Sequence, residues 1–232
     1  MRSDRQVIEI VGVAGAGKST LAHRLSAEPG RYLAPFLDTR RRRHRRYIWR
    51  SLPAVAPVLM RGAWNRPRIS WRELKLVVYV ASWPRYLSES WEPGQTGFVL
   101  DQGPVYALGR LRALGKPFTQ TPSFERWKHK MVGVWSRVLS HVVVLDAPDQ
   151  TLIKRIGARA DQHEAKGLPS ELGIEFLRRH RRAFEEIIGL VELAGGPTCL
   201  RVDSGLASAE ELAMGVSKQV LKSTNSRTAR GD

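Results

Sequence analysis

The run Gly12-Val13-Ala14-Gly15-Ala16-Gly17-Lys18-Ser19, followed by Thr20, combines three residue types that together hold phosphate. Its glycines let successive backbone N–H groups turn inward, its lysine supplies a long cation, and the hydroxyl beside the lysine can ligate magnesium. The spacing is that of a P-loop, or Walker A motif. Gly12, Ala14, Gly15, Ala16, Gly17, Lys18, Ser19 and Thr20 are the expected cradle for the phosphates of ATP, with Lys18 on the β- and γ-phosphates and Ser19 on Mg2+. A chance match in a chain of 232 residues is on the order of one in a hundred at average composition.

Other charged residues stand where they could act on those phosphates. Asp101 follows Gly97 to Leu100 and precedes Gln102-Gly103-Pro104, and it is the candidate carboxylate near magnesium or the phosphate acceptor. The alternative is a cap for the helix that follows. Asp146, after His141 to Leu145, ranks below it. Arg155 and Arg159 are four apart, so on a helix they share a face and could clamp a transferring phosphoryl group. Exposed surface arginines are the other reading, since 29 of the 38 basic residues are Arg.

These residues need strand ends and helix starts to hold them. Val7 to Val11 is a β-branched run leading into the phosphate loop, and a helix over Lys18 to Leu25 follows. Tyr32 to Leu37 predicts a second strand broken by Pro35. Gly97 to Leu100, His141 to Leu145 and Thr198 to Val202 predict three more. Helical periodicity marks Trp71 to Ser90, Pro104 to Leu114, the stripe Phe176, His180, Phe184, Ile187 and Ile188, and Ser208 to Leu221. Alternating strands and helices give an α/β fold: a three-layer sandwich around a mainly parallel, five-stranded sheet, with ligands at the carboxyl ends of the strands. One domain over residues 1–222 and a disordered polar tail over 223–232 complete the layout.

Composition narrows the setting. A single cysteine, Cys199, rules out an intrachain disulfide and a zinc-thiolate cluster. The N-terminal residues carry charges where a signal peptide would be apolar, and no apolar run approaches a membrane span, so a cytoplasmic protein is expected. The net charge of +16 favours anionic partners. The densest part, Arg40 to Arg46 with Arg50, either binds an anion or is a solvated helix face.

From Val7 to the last helix the order of features resembles the thymidylate kinase and deoxynucleoside kinase group of P-loop kinases. The P-loop is followed by GFVLDQGPV, HVVVLDAPDQTLIKRIGARADQHEAKG, an amphipathic helix and CLRVDSGLASAEELA. The resemblance implies an ATP- and magnesium-dependent kinase. Asp146-Ala147-Pro148 would be a structural strand end, and Arg155, Arg159, His163 and Lys166 would belong to a lid over about 155–168. It also implies an acceptor-side helical segment over about 38–95 and an acid after the second strand that activates the acceptor hydroxyl; Asp38 stands there, with a helix cap as its other reading. Gln102 occupies a position where thymidylate kinases carry Arg, which argues against thymidylate as the acceptor. The run Arg40 to Arg46 beside the acceptor pocket points to an anionic acceptor, and the resemblance to a small nucleoside- or nucleotide-like one. Trp49, Trp64, Trp71, Trp83 and Trp91 either line that pocket or pack the core. The rival readings are a kinase of nucleic-acid ends and a non-catalytic, ATP-binding regulatory protein held at an anionic membrane through Arg40 to Arg46 and Leu52 to Met60; a homodimer is a further alternative.

Overall fold

The computed structural model describes residues 5–38, 41–64, 69–115, 117–158 and 164–228, with backbone alone at 59–64 and 224–228. Five strands, β1 (Gln6–Gly12), β2 (Arg31–Leu33), β3 (Gly97–Leu100), β4 (His141–Asp146) and β5 (Thr198–Asp203), form one sheet in the order β2-β3-β1-β4-β5. Every neighbouring pair is parallel. The three inner strands are buried along nearly their whole length, as strands covered on both faces must be, whereas the edges β2 and β5 are half exposed. In register, Glu9 of β1 pairs with Leu100 of β3, and Gly12 with Leu145 of β4, so the chain leaves all three inner strands at one end of the sheet.

Among the described residues eight α-helices connect and cover these strands: α1 (Lys18–Ser26), α2 (Arg42–Trp64), α3 (Trp71–Glu89), α4 (Pro104–Leu114), α5 (Pro122–Trp135), α6 (Asp149–Gly157), α7 (Ser170–Leu193) and α8 (Ala209–Thr228). Helices α1 and α8 pack together over one face of the sheet and α4 with α7 over the other; α2, α3 and α5 pack beyond α4. Local signals set several starts. Ser70 and Glu73 form a capping box before α3, Ser208 and Glu211 exchange the same pair of bonds before α8, and Thr121 caps α5 with Pro122 in its first turn. The core contains the fully buried Trp83 and Trp135, whose indole N–H groups donate to the carbonyls of Pro35 (3.0 Å) and Val80 (2.8 Å). Among the described residues no helix is long and apolar enough to cross a membrane.

Two boundaries differ from expectation. Strand β2 stops at Leu33: the Ala34 N–H makes the last bond to β3, on the Val99 carbonyl at 2.8 Å, and the chain then turns away with the Pro35 carbonyl taken by the Trp83 indole. Helix α8 continues to Thr228, past the point where a disordered tail was expected to begin; Ser223 is held there by the His141 ring of β4 at 2.6 Å and by the carbonyl of Val220 at 2.9 Å.

Candidate active site

The phosphate loop joins β1 to α1 at the centre of the sheet. Gly15 and Gly17 adopt φ of +84° and +87°, in the left-handed region that side-chain-bearing residues rarely enter, and this turns the loop toward the start of α1. No acid lies in the first turn of α1 and no side chain caps it, so the positive end of its dipole is available to an anion. The Lys18 ammonium donates to the carbonyl of Val13 at 2.9 Å, arching back over the loop. Ser19 and Thr20 are exposed beside it.

One strand over, β3 delivers Asp101 to the same place. The Ser19 hydroxyl donates to Asp101 Oδ2 at 2.9 Å. Oδ1 of the same carboxylate is buried and finds no partner among the described residues. A buried carboxylate oxygen left without a donor, next to a serine hydroxyl and a phosphate cradle, fits a hard cation or a hydroxyl donor that completes it. Ser19 and Asp101 therefore suit magnesium.

The turn after Asp101 is fixed from below by a residue that sequence reading did not single out. Glu9, fully buried in mid-β1, accepts N–H bonds from Val105 (3.0 Å) and Tyr106 (2.8 Å) at the start of α4. A Cβ on Gly103 would lie 2.3 Å from the Glu9 carboxyl carbon, so only glycine allows the turn to come this close. Burial pushes the Glu9 carboxyl up to about 8, against the three backbone N–H groups of Tyr106, Val105 and Gly103 that favour its charged form. Its sequence signal is an acid inside a run otherwise made of Val and Ile.

Two cavities open on either side of the loop. The first, about 400 Å³, is lined by Leu33, Ala34, Pro35, Phe36, Tyr79, Leu100, Asp101 and Gln102. Phe36 and Tyr79 stack in its wall with ring centroids 4.7 Å apart, and Trp83 fixes the wall from behind through its bond to Pro35. The second, about 310 Å³, lies against Gly15, Ala16, Gly17 and Thr20 and is closed by Leu21, Arg155, Ser204, Ala207, Ala209 and Leu212.

The remaining expected residues distribute unevenly. Arg155 donates to the carbonyl of Gly15 (3.4 Å) and to the hydroxyl (3.2 Å) and carbonyl (2.9 Å) of Ser204, so its guanidinium joins the phosphate loop to the turn after β5. That engages it along the second cavity, in place of the free phosphoryl clamp expected. Arg159 and His163 lie outside the described residues, as does Arg40. Of the lid segment, Lys166 is exposed, and Glu164 accepts from Arg110 of α4 (2.6 Å) and Arg72 of α3 (3.2 Å). Asp38 is not among the residues lining the first cavity. Its carboxylate pairs with Arg41 at 3.4 Å and its N–H donates to His44 Nδ1 at 3.2 Å, so it sits at the entry to α2. Asp146 accepts both Nε (2.6 Å) and Nη2 (3.0 Å) of Arg181, an ion pair that ties β4 to α7. Trp83 is core, Trp91 packs on Phe98, and Trp49 and Trp71 are 65% and 60% exposed; the side chain of Trp64 lies outside the described residues.

No protein-family model and no curated protein matches the chain. Solved structures do match. A deoxyadenosine kinase from M. mycoides with bound dATP superposes with a TM-score of 0.53 at 16% identity, over 92% of this chain and 99% of its own. The same enzyme with the products dCMP and a flexible dCDP gives a TM-score of 0.55 at 15% identity, over 94% and 99%. Across almost its whole length, then, this chain shares the fold of a deoxynucleoside kinase, with the phosphate loop at the centre of its sheet.

Proposed function

We propose that the protein transfers a phosphoryl group from ATP, with magnesium, to a hydroxyl of a small, neutral, ring-bearing acceptor of nucleoside type. One observation carries the reading: Asp101 is bonded through Oδ2 to the phosphate loop and also lines the cavity of about 400 Å³ on the opposite side. A single carboxylate thus faces both partners of a transfer reaction.

The residues divide the work. Gly12 to Thr20 and the start of α1 bind the phosphates, and Lys18 exchanges the Val13 carbonyl for phosphate oxygens. Magnesium, held by Ser19 and Asp101, would spread the phosphates' negative charge. Asp101 Oδ1 accepts a hydrogen bond from the acceptor hydroxyl and aims its oxygen at the γ-phosphate. Leu33, Pro35, Phe36 and Leu100 keep water from competing as the acceptor. The cavity of about 310 Å³ suits the adenine of ATP, whose ring can lie against the Arg155 guanidinium while Leu21 and Leu212 supply apolar walls.

The acceptor's character follows from the lining. Neither Lys nor Arg lines the first cavity among the described residues, while Phe36 and Tyr79 offer flat apolar surface. This favours a neutral nucleoside over the anionic acceptor that the arginine run suggested. The dATP and dCMP bound by the deoxyadenosine kinase are compatible with such an acceptor.

The test is ADP release from magnesium-ATP against nucleosides, nucleoside monophosphates, sugars and 5′-hydroxyl oligonucleotides, with Lys18→Ala as the blank. Nucleoside-dependent turnover is expected, with Asp101→Asn lowering kcat at least about a hundredfold while ATP still binds. Turnover with none of the panel, despite retained ATP binding, would move the protein to a nucleotide-binding regulatory role.

A further inference from the structure

We propose that the outward face of α2 docks the protein on an anionic membrane surface. Between Thr39 and Arg72 the sequence has eleven arginines (40, 41, 42, 43, 45, 46, 50, 61, 66, 68 and 72) and no acid. Helix α2 sorts its part of this run. His44, Tyr47, Ser51, Val55 and Val58 turn inward and are buried, while Arg42, Arg45 and Arg46 lie outward together with Trp49, Leu52 and Pro53. Trp49 is 65% exposed and Leu52 37%.

Two features distinguish this face from an ordinary solvated helix. The first is its uncompensated charge. Glu89 is the acid that reaches it, and Glu89 already pairs with Arg46, Arg50 and Arg85; Arg42 and Arg45 have no ion pair among the described residues. The second is what shares the face: Arg42, Arg45 and Arg46 in the first turn and a half are followed by Trp49, Arg50, Leu52, Pro53 and Pro57, all exposed. A surface that meets a lipid interface combines such groups, with arginines on the headgroup phosphates, an indole at the boundary and aliphatic residues toward the acyl chains. Nucleic acid would match the arginines but leave Leu52, Pro53 and Pro57 against water. The anionic bilayer matches both halves.

The experiment is co-sedimentation of the full chain with phosphatidylcholine vesicles, with and without phosphatidylglycerol, at several salt concentrations. Binding is expected only with phosphatidylglycerol and should weaken with salt. The double variant Arg42→Gln, Arg45→Gln should bind about thirtyfold more weakly, from about 1 kcal/mol per arginine near the surface. Trp49→Ser with Leu52→Ser should also lose binding, and low salt should not restore it. These side chains are exposed, so both variants should melt with the wild type, which separates lost docking from lost folding. Equal binding to both vesicle types overturns the proposal. So does binding that ignores Trp49 and Leu52, or an oligonucleotide that displaces the protein from the vesicles.

Discussion

Glu9 makes the stability of this protein depend on pH in an unusual direction. In the folded chain its carboxyl is pushed up to about 8 by burial; in the unfolded chain it returns to about 4.5. Between these values the folded state holds a proton that the unfolded state has released, so the stabilisation is complete below the lower value and is lost as pH rises through the upper one. From pH 7 to 8 the loss runs near 1.36 kcal/mol per unit and slackens toward the folded value, giving about 1 kcal/mol. For a chain of this size that lowers Tm by about 2–4 °C. Burial lowers His44 and His180, so they are neutral in both states above about 7, and burial raises Tyr79 beyond the window. Glu9→Gln removes the titration and keeps the shape. Its melting temperature, followed by circular dichroism across pH 7 to 8, should be nearly flat where the wild type falls. Parallel curves would show that Glu9 is already ionised in the fold and that the three N–H groups at the start of α4 outweigh its burial.

Three further outcomes follow from the site and its supports. Asp38→Asn should change kcat with a nucleoside acceptor by less than about threefold, because its carboxylate faces Arg41; a hundredfold loss would restore it as the general base. Arg155→Ala should raise the KM for ATP and lower stability by about 1.5–3 kcal/mol through the loss of its bonds to Gly15 and Ser204, read by steady-state kinetics and urea melts. Gly109→Ala should destabilise by about 1–3 kcal/mol despite the better helix former, since the new Cβ would lie 2.3 Å from Phe184 Cδ1 and the Phe184 backbone prevents retreat.

What could be read from the sequence was what is local in it. The phosphate loop is a run of consecutive residues joining a strand to a helix, and the three inner strands announce themselves as short apolar runs leading to Gly12, Asp101 and Asp146. The cavity beside Asp101 was less accessible, because Phe36, Tyr79 and Gln102 come from three separate segments and meet only when the chain leaves β2 and β3 side by side. Asp38 was chosen for its position after a strand, but that strand ends at Leu33 and Asp38 stands at the entry to α2. Arg155 was correctly placed on a helix, yet its partner Ser204 is 49 residues away and carries no motif. Helix α5 had a readable start in Thr121-Pro122 and an apolar stripe in Phe124, Trp127, Met131 and Trp135, signals that the chemistry-led reading passed over.

The order of the strands also bears on how the chain assembles itself. β1 is the first strand to be synthesised, yet it waits about ninety residues for β3 and about a hundred and thirty for β4. Until His141 to Leu145 leaves the ribosome, the central strand of the sheet, with Glu9 not yet buried and the phosphate loop unsupported, has a flank open to any other strand it meets. Nascent chains shorter than this point therefore form the natural substrate for chaperones.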